Sequence, residues 1–125
     1  MEITFLGTGT SVGVPMIGCD CDVCQSEDPR NSRTRSSIVV EANGFRFVVD
    51  TGPDFRLQCL REKVTKLDAA IFTHAHSDHI MGFDDLRRFS IGKEGRLPIY
   101  ATEPTMGRLK DSFGYAFDRK NWYAV

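Results

Sequence analysis

With 125 residues, 41% of them hydrophobic and 26% charged, the chain has the makeup of one globular domain, which excludes a disordered or membrane-embedded protein. A formal net charge of -1 provides no basic field for gathering nucleic acid. The opening residues, Met1-Glu2-Ile3-Thr4-Phe5, carry no basic or long apolar run, so neither a signal peptide nor a membrane span is expected, and a cytoplasmic location is.

Ile3-Thr4-Phe5-Leu6 reads as a first strand, followed by Gly7-Thr8-Gly9-Thr10-Ser11-Val12-Gly13-Val14-Pro15. The glycine spacing does not match a dinucleotide-binding loop, and Pro15 discourages the helix such a loop needs. A tight turn near the functional site is expected instead. Cys19-Asp20-Cys21-Asp22-Val23-Cys24 then places three thiols within six residues. Without an export signal, these read as ligands of a structural zinc rather than as disulfides. A fourth ligand is not evident. The fourth cysteine, Cys59, is expected to be a small buried apolar residue. Arg33 and Arg35, in a polar stretch, read as solvated.

Ser37–Ala42 and Phe45–Asp50 flank Asn43-Gly44, a strong hairpin signal because both turn positions need positive φ. Pro53 can open a helix with Phe55, Leu57, Cys59, Leu60 and Val64 on its apolar side. Asp68-Ala69-Ala70-Ile71-Phe72 reads as a buried strand. Ile80–Phe89 is expected to be helical, with Asp84 and Asp85 near its start and Arg87 and Arg88 near its end to suit the dipole. Leu97–Ala101 reads as a strand and Thr105–Phe113 as a helix. Trp122–Val125 reads as the start of another element.

Directly after the buried strand comes Thr73-His74-Ala75-His76-Ser77-Asp78-His79, which contains all three histidines of the chain. On an extended backbone His74, His76 and Asp78 point to one side, and His79 needs a turn to join them. Imidazole and carboxylate together suit zinc, manganese and similar ions. Asp50, at a strand end, is placed to accept the free N–H of a metal-bound imidazole and hold its tautomer. Capping the turn before Pro53 is its alternative role.

The motif His74-x-His76-x-Asp78-His79 after a hydrophobic strand resembles the signature of the metallo-β-lactamase superfamily. That resemblance implies a fold of the α/β class: an αββα sandwich of two mixed sheets with helices outside. It implies two divalent ions, zinc or manganese, with His74 and His76 on one and Asp78 and His79 on the other. Two such ions about 3.5–4 Å apart acidify a bridging water and clamp the displacement it makes. The resemblance also implies that Asp78 steers the leaving-group proton and that Asp50 lies just behind the ligands. Phe5–Ser11, Gly18–Cys24, Asp50–Arg56 and Phe83–Arg87 are together similar to the branch containing the cyclic ribosyl-phosphate phosphodiesterase of phosphonate breakdown, and more distantly to tRNA 3′-processing endonucleases.

The resemblance covers about the N-terminal half of that fold, so residues 1–125 read as a single incomplete domain. The family's later histidines have no counterpart after His79. A shortened product of a longer parent is the favoured explanation, beside a site completed by a partner chain and a half-domain that only binds. The expected function is a metal-dependent phosphodiesterase acting on a small phosphodiester. Membrane is excluded, nucleic acid is not expected, and self-association through an exposed half-sandwich face is. Two alternatives stand beside it: a tRNA 3′-processing endonuclease, and a non-catalytic zinc-binding interaction module built on Cys19, Cys21 and Cys24.

Overall fold

The computed structural model describes residues 1–91 and 96–118. Its strands are β1 (Glu2–Gly7), β2 (Ser37–Ala42), β3 (Phe45–Val49), β4 (Ala69–Phe72) and β5 (Ile99–Ala101). Its helices are α1 (Phe55–Arg61), α2 (Ser77–Ile80), α3 (Arg87–Ser90) and α4 (Glu103–Phe117), with a 3-10 turn at Phe83–Leu86. The strands form one sheet in chain order. β1, β2 and β3 pair antiparallel, and β4 and β5 add on in parallel. The β2–β3 hairpin turns at Asn43 (φ 52°) and Gly44 (φ 78°), the conformation that their residue types predict.

All the helices contribute to one core on one face of this mixed sheet. Leu6, Val39, Val48, Ala70 and Phe72 from the strands meet Phe55 and Cys59 of α1, Ile80, Phe83, Leu86, Phe89, and Leu109 and Phe113 of α4. Phe83 stacks on Phe113 with ring centroids 4.9 Å apart. The opposite face carries the alternate residues of the same strands. The register sets Phe5 beside Ile38, Ile38 beside Val49, Val49 beside Ile71, and Ile71 beside Tyr100. This apolar row is open: Phe5 is 64% exposed and Tyr100 56%. Among the described residues, no helix is long and apolar enough to cross a membrane.

Three expectations need correction. The helix expected over Ile80–Phe89 is three short pieces, because Gly82 N–H donates to the Thr51 carbonyl (2.8 Å) and is drawn out of any continuous helix. Leu57 and Leu60, expected on the apolar side of α1, are 62% and 61% exposed; Phe55 and Cys59 are buried as expected, and Gln58 is buried with them. Its Nε2 donates to Thr34 Oγ1 (3.0 Å) and the Arg35 carbonyl (2.8 Å), so that side of α1 grips a loop. Arg35 is not simply solvated, for its guanidinium contacts Asp54 at 3.1 Å and donates to the Ser11 carbonyl at 2.8 Å. The element expected at Trp122–Val125 lies outside the described residues.

Candidate metal centre

Parallel pairing of β3 with β4 brings their C-terminal ends together, with Val49 beside Ile71. The chain leaves both strands at this edge, and Asp50 meets Thr73. Asp50 sits at φ 62°, a left-handed conformation that aspartate tolerates better than most residues. Its carboxylate is 5% exposed. Oδ1 accepts the Thr73 backbone N–H (2.8 Å), and Oδ2 accepts the Thr73 hydroxyl (2.7 Å) and faces His79 Nδ1 (2.7 Å).

These contacts give Nδ1 of both His79 and His74 a hydrogen-bond partner. A carboxylate only accepts, so His79 Nδ1 carries a proton and donates it to Asp50. Thr73 has one hydroxyl proton and gives it to Asp50, so in its 3.0 Å contact with His74 Nδ1 the imidazole is the donor. In their neutral forms, with the proton on Nδ1, His74 and His79 each present an Nε2 lone pair. The Nε2 of His79 lies 3.2 Å from Asp78 Oδ2. Two lone pairs facing at that distance repel unless a cation or an added proton lies between them; among the described residues the histidine cluster does not bring three ligand atoms within 4.8 Å of one another, as the cysteines do. The His74 ring lies 4.0 Å from that of His79 and 4.6 Å from that of His76, centroid to centroid.

The expected alternation along an extended strand is not what gathers these groups. β4 ends at Phe72, His76 is the last extended residue, and Asp78 and His79 sit in the single turn of α2. That turn is docked by backbone: Thr51 N–H donates to the His79 carbonyl (2.8 Å), and Gly82 N–H to the Thr51 carbonyl (2.8 Å). A Cβ on Gly52 would overlap the Asp78 carbonyl oxygen, and one on Gly82 the Gly52 carbonyl oxygen. The two glycines allow this close approach. The Gly7–Ser11 turn lies beside the site, since Gly7, Thr8 and Asp50 line one shallow cavity of about 350 Å³.

Cys19, Cys21 and Cys24 come together as expected, and their sulfur atoms lie within 4.8 Å of one another. The Cys19 thiol donates to Cys21 Sγ (3.4 Å) and the Met16 backbone N–H to Cys24 Sγ (3.4 Å). The Cys24 backbone N–H, then the Cys19 and Cys24 thiols, hold Cys21 down at about 7. Three converging sulfurs suit zinc, and among the described residues no fourth ligand joins them. Cys59 lies elsewhere, and burial pushes its thiol up to about 12. In metal-free protein, iodoacetamide at pH 7 is expected to label Cys21 well before Cys59, with the Cys21 rate falling as pH drops below about 7, which peptide mass mapping would follow.

The sequence profile of the β-lactamase superfamily domain matches residues 45–125, which contain Asp50 and the histidine cluster. The chain belongs to this superfamily. The octanoyltransferase of Porphyromonas gingivalis is 44% identical over 124 residues, which is 98% of this chain and 25% of that protein. The crystal structure of a diphosphatase from the PhnP family is 50% identical with a TM-score of 0.88, covering 92% of this chain and 46% of that one. Zn²⁺-bound PqqB from Methylobacterium extorquens is 25% identical with a TM-score of 0.74, covering 89% of this chain and 40% of that one. The chain thus spans less than half the length of these relatives and carries about half of a metallo-β-lactamase fold: one mixed sheet with its helices.

Sequence reasoning had missed Thr73. Its side chain matters through a proton it shares with Asp50, and only the pairing of β3 with β4 creates that contact. The Arg35–Asp54 pair was missed as well, because nineteen positions of chain separate its members.

Proposed function

We propose that this chain carries the nucleophile-generating half of a metal-dependent phosphodiesterase, as part of one incomplete domain. His74 and His76 hold one divalent ion, and Asp78 and His79 the other. The observation that carries the reading is the gathering of His74, His79 and Asp78 at one strand end, with the buried Asp50 against Nδ1 of His79 (2.7 Å) and Asp78 Oδ2 3.2 Å from its Nε2. When bound, two such ions would lower the pKa of a water between them and offset the charge that builds on a phosphoryl group.

The protein's own part is positional. Asp50 keeps the proton of His79 on Nδ1, and Thr73 keeps that of His74 on Nδ1. The buried Asp50–Thr73 contact stops the imidazoles from turning. Asp78, in the docked turn of α2, would accept a proton from the attacking water and pass it to the leaving oxygen. The three thiols form a separate structural site for zinc.

Resemblance at 50% identity to a diphosphatase supports phosphorus–oxygen chemistry, and makes a diphosphate the second substrate class to try. The acyl-transfer name of the 44% relative is not carried over, since this chain matches a quarter of that protein. Transfer-RNA processing gains no support from the charge of the chain, which is -1. The test is hydrolysis of bis(p-nitrophenyl) phosphate, with a diphosphate ester beside it, by a longer protein containing this chain and loaded with manganese or zinc. Turnover lost in His76→Ala supports the reading; a manganese- or zinc-loaded protein inert toward both substrates overturns it.

The open sheet face is where the rest of the fold, or a second copy, packs in the working protein. Its apolar row runs from Phe5 to Tyr100, and burial of such a face is worth about 25 cal/mol per Å². The 125-residue chain is therefore expected to self-associate at micromolar concentration in sedimentation velocity. Phe5→Lys with Tyr100→Lys should return it to the monomer.

A further inference from the structure

A cavity of about 460 Å³ opens on the helical side of the molecule, away from both ligand clusters. Leu60 and Val64 give it an accessible apolar wall over the buried Phe55, Cys59 and Phe89, and Arg56, Arg87 and Arg88 form its rim. None of its lining residues belongs to the histidine or cysteine groups. Its size and its mix of apolar wall with a few polar groups are those of small-molecule sites.

The charges select the ligand. Arg87 is paired with Asp84 at 3.3 Å, which neutralises it. Arg56 and Arg88 are exposed and form no ion pair among the described residues. Asp85 also lines the cavity, and Arg56 acts on it only at longer range. Burial, then the neighbouring Asp84, pushes the Asp85 carboxyl up. Counting Arg56 and Arg88 against Asp85, the mouth keeps about one unit of positive charge, which suits a monoanion better than a phosphate dianion. The wall beneath is dry enough to raise Cys59 to about 12.

We infer that this cavity, framed by α1 and α3, is a binding site for a small amphipathic carboxylate, with an aryl or alkyl body against Leu60 and Val64 and its carboxylate at Arg56 and Arg88. The inference does not rest on the metal reading.

The test is calorimetric titration of 4-phenylbutyrate into the 125-residue chain, with neutral 4-phenylbutanamide and phenyl phosphate beside it. Saturable binding of the carboxylate is expected, weaker by about tenfold for the amide and in Arg56→Gln/Arg88→Gln. Both arginines are exposed, and an unchanged thermal melt would show that this variant folds. Phe5→Ser, on the open sheet face, should bind as the unaltered chain does. Absence of saturable binding, equal affinity for the amide, tighter binding of phenyl phosphate, or loss in Phe5→Ser with none in the arginine variant would each overturn the assignment.

Discussion

Asp50→Ala should weaken zinc binding at the histidine cluster by about 10–100-fold, the usual loss when the partner behind a metal-bound imidazole is removed. The carboxylate accepts hydrogen bonds from both the backbone N–H and the hydroxyl of Thr73 and faces Nδ1 of His79. Without it His79 is free to adopt the other tautomer and present N–H where a lone pair is needed. His74 is affected as well, because the Thr73 hydroxyl loses its acceptor and can donate to Nδ1 instead. Asp50→Asn separates this effect from backbone strain, since asparagine also tolerates the φ of 62° found here. Its single carbonyl oxygen cannot serve both sides, and its NH₂ opposes a donor. Both variants should lose affinity in competition with a chromophoric chelator. The cysteine site should keep its zinc in each. Equal affinity in Asp50→Asn and the unaltered chain would remove Asp50 from the account.

Gly52→Ala should cost about 3 kcal/mol of stability and empty the histidine cluster of metal together. The added methyl meets the Asp78 carbonyl oxygen, which is backbone and has no rotamer to change. To admit it, the turn of α2 must lift off Thr51, giving up the Thr51–His79 and Gly82–Thr51 hydrogen bonds, each 2.8 Å long. Asp78 and His79 move with the turn, so the ligands separate even where the core survives. The denaturant midpoint reads the first effect and zinc retention the second. Gly107→Ala is the control, because a Cβ there meets nothing within 4 Å. A Gly52→Ala variant as stable and as well loaded as the unaltered chain would mean that the turn is not docked in this way.

The parts of this site that were legible before the structure are local in sequence. Asn43-Gly44 fixes the hairpin through backbone sterics, and the hairpin delivers Asp50 to the strand end. The spacing from His74 to His79 marks a cluster of imidazoles and a carboxylate, and the structure gathers His74, His76 and His79 with Asp78 beside them. Contacts made across the sheet were not legible. The Thr73–Asp50 bond exists because β4 pairs in parallel with β3 in one register, and no window around Thr73 contains that information. The break in the expected Ile80–Phe89 helix has the same origin, since Gly82 looks like a tolerated helical glycine until Thr51 claims its N–H. Gln58 joins Phe55 and Cys59 on the buried side of α1 because its amide holds Thr34 and Arg35, brought over α1 by a loop with no periodic pattern of its own. Patterns of hydrophobicity found the elements, and hydrogen bonds between distant segments decided how the elements present their polar groups.

The central claim is that the histidine cluster is a metal centre in its own right. The most direct measurement is the zinc and manganese content of the chain carrying Cys19→Ser, Cys21→Ser and Cys24→Ser, after loading and gel filtration, with and without His76→Ala. The thiol-free chain is predicted to retain metal and to lose it when His76 is replaced. A thiol-free chain that retains none, beside an unaltered chain holding one zinc that His76→Ala does not disturb, would contradict the claim and make this a zinc-binding module held by its cysteines.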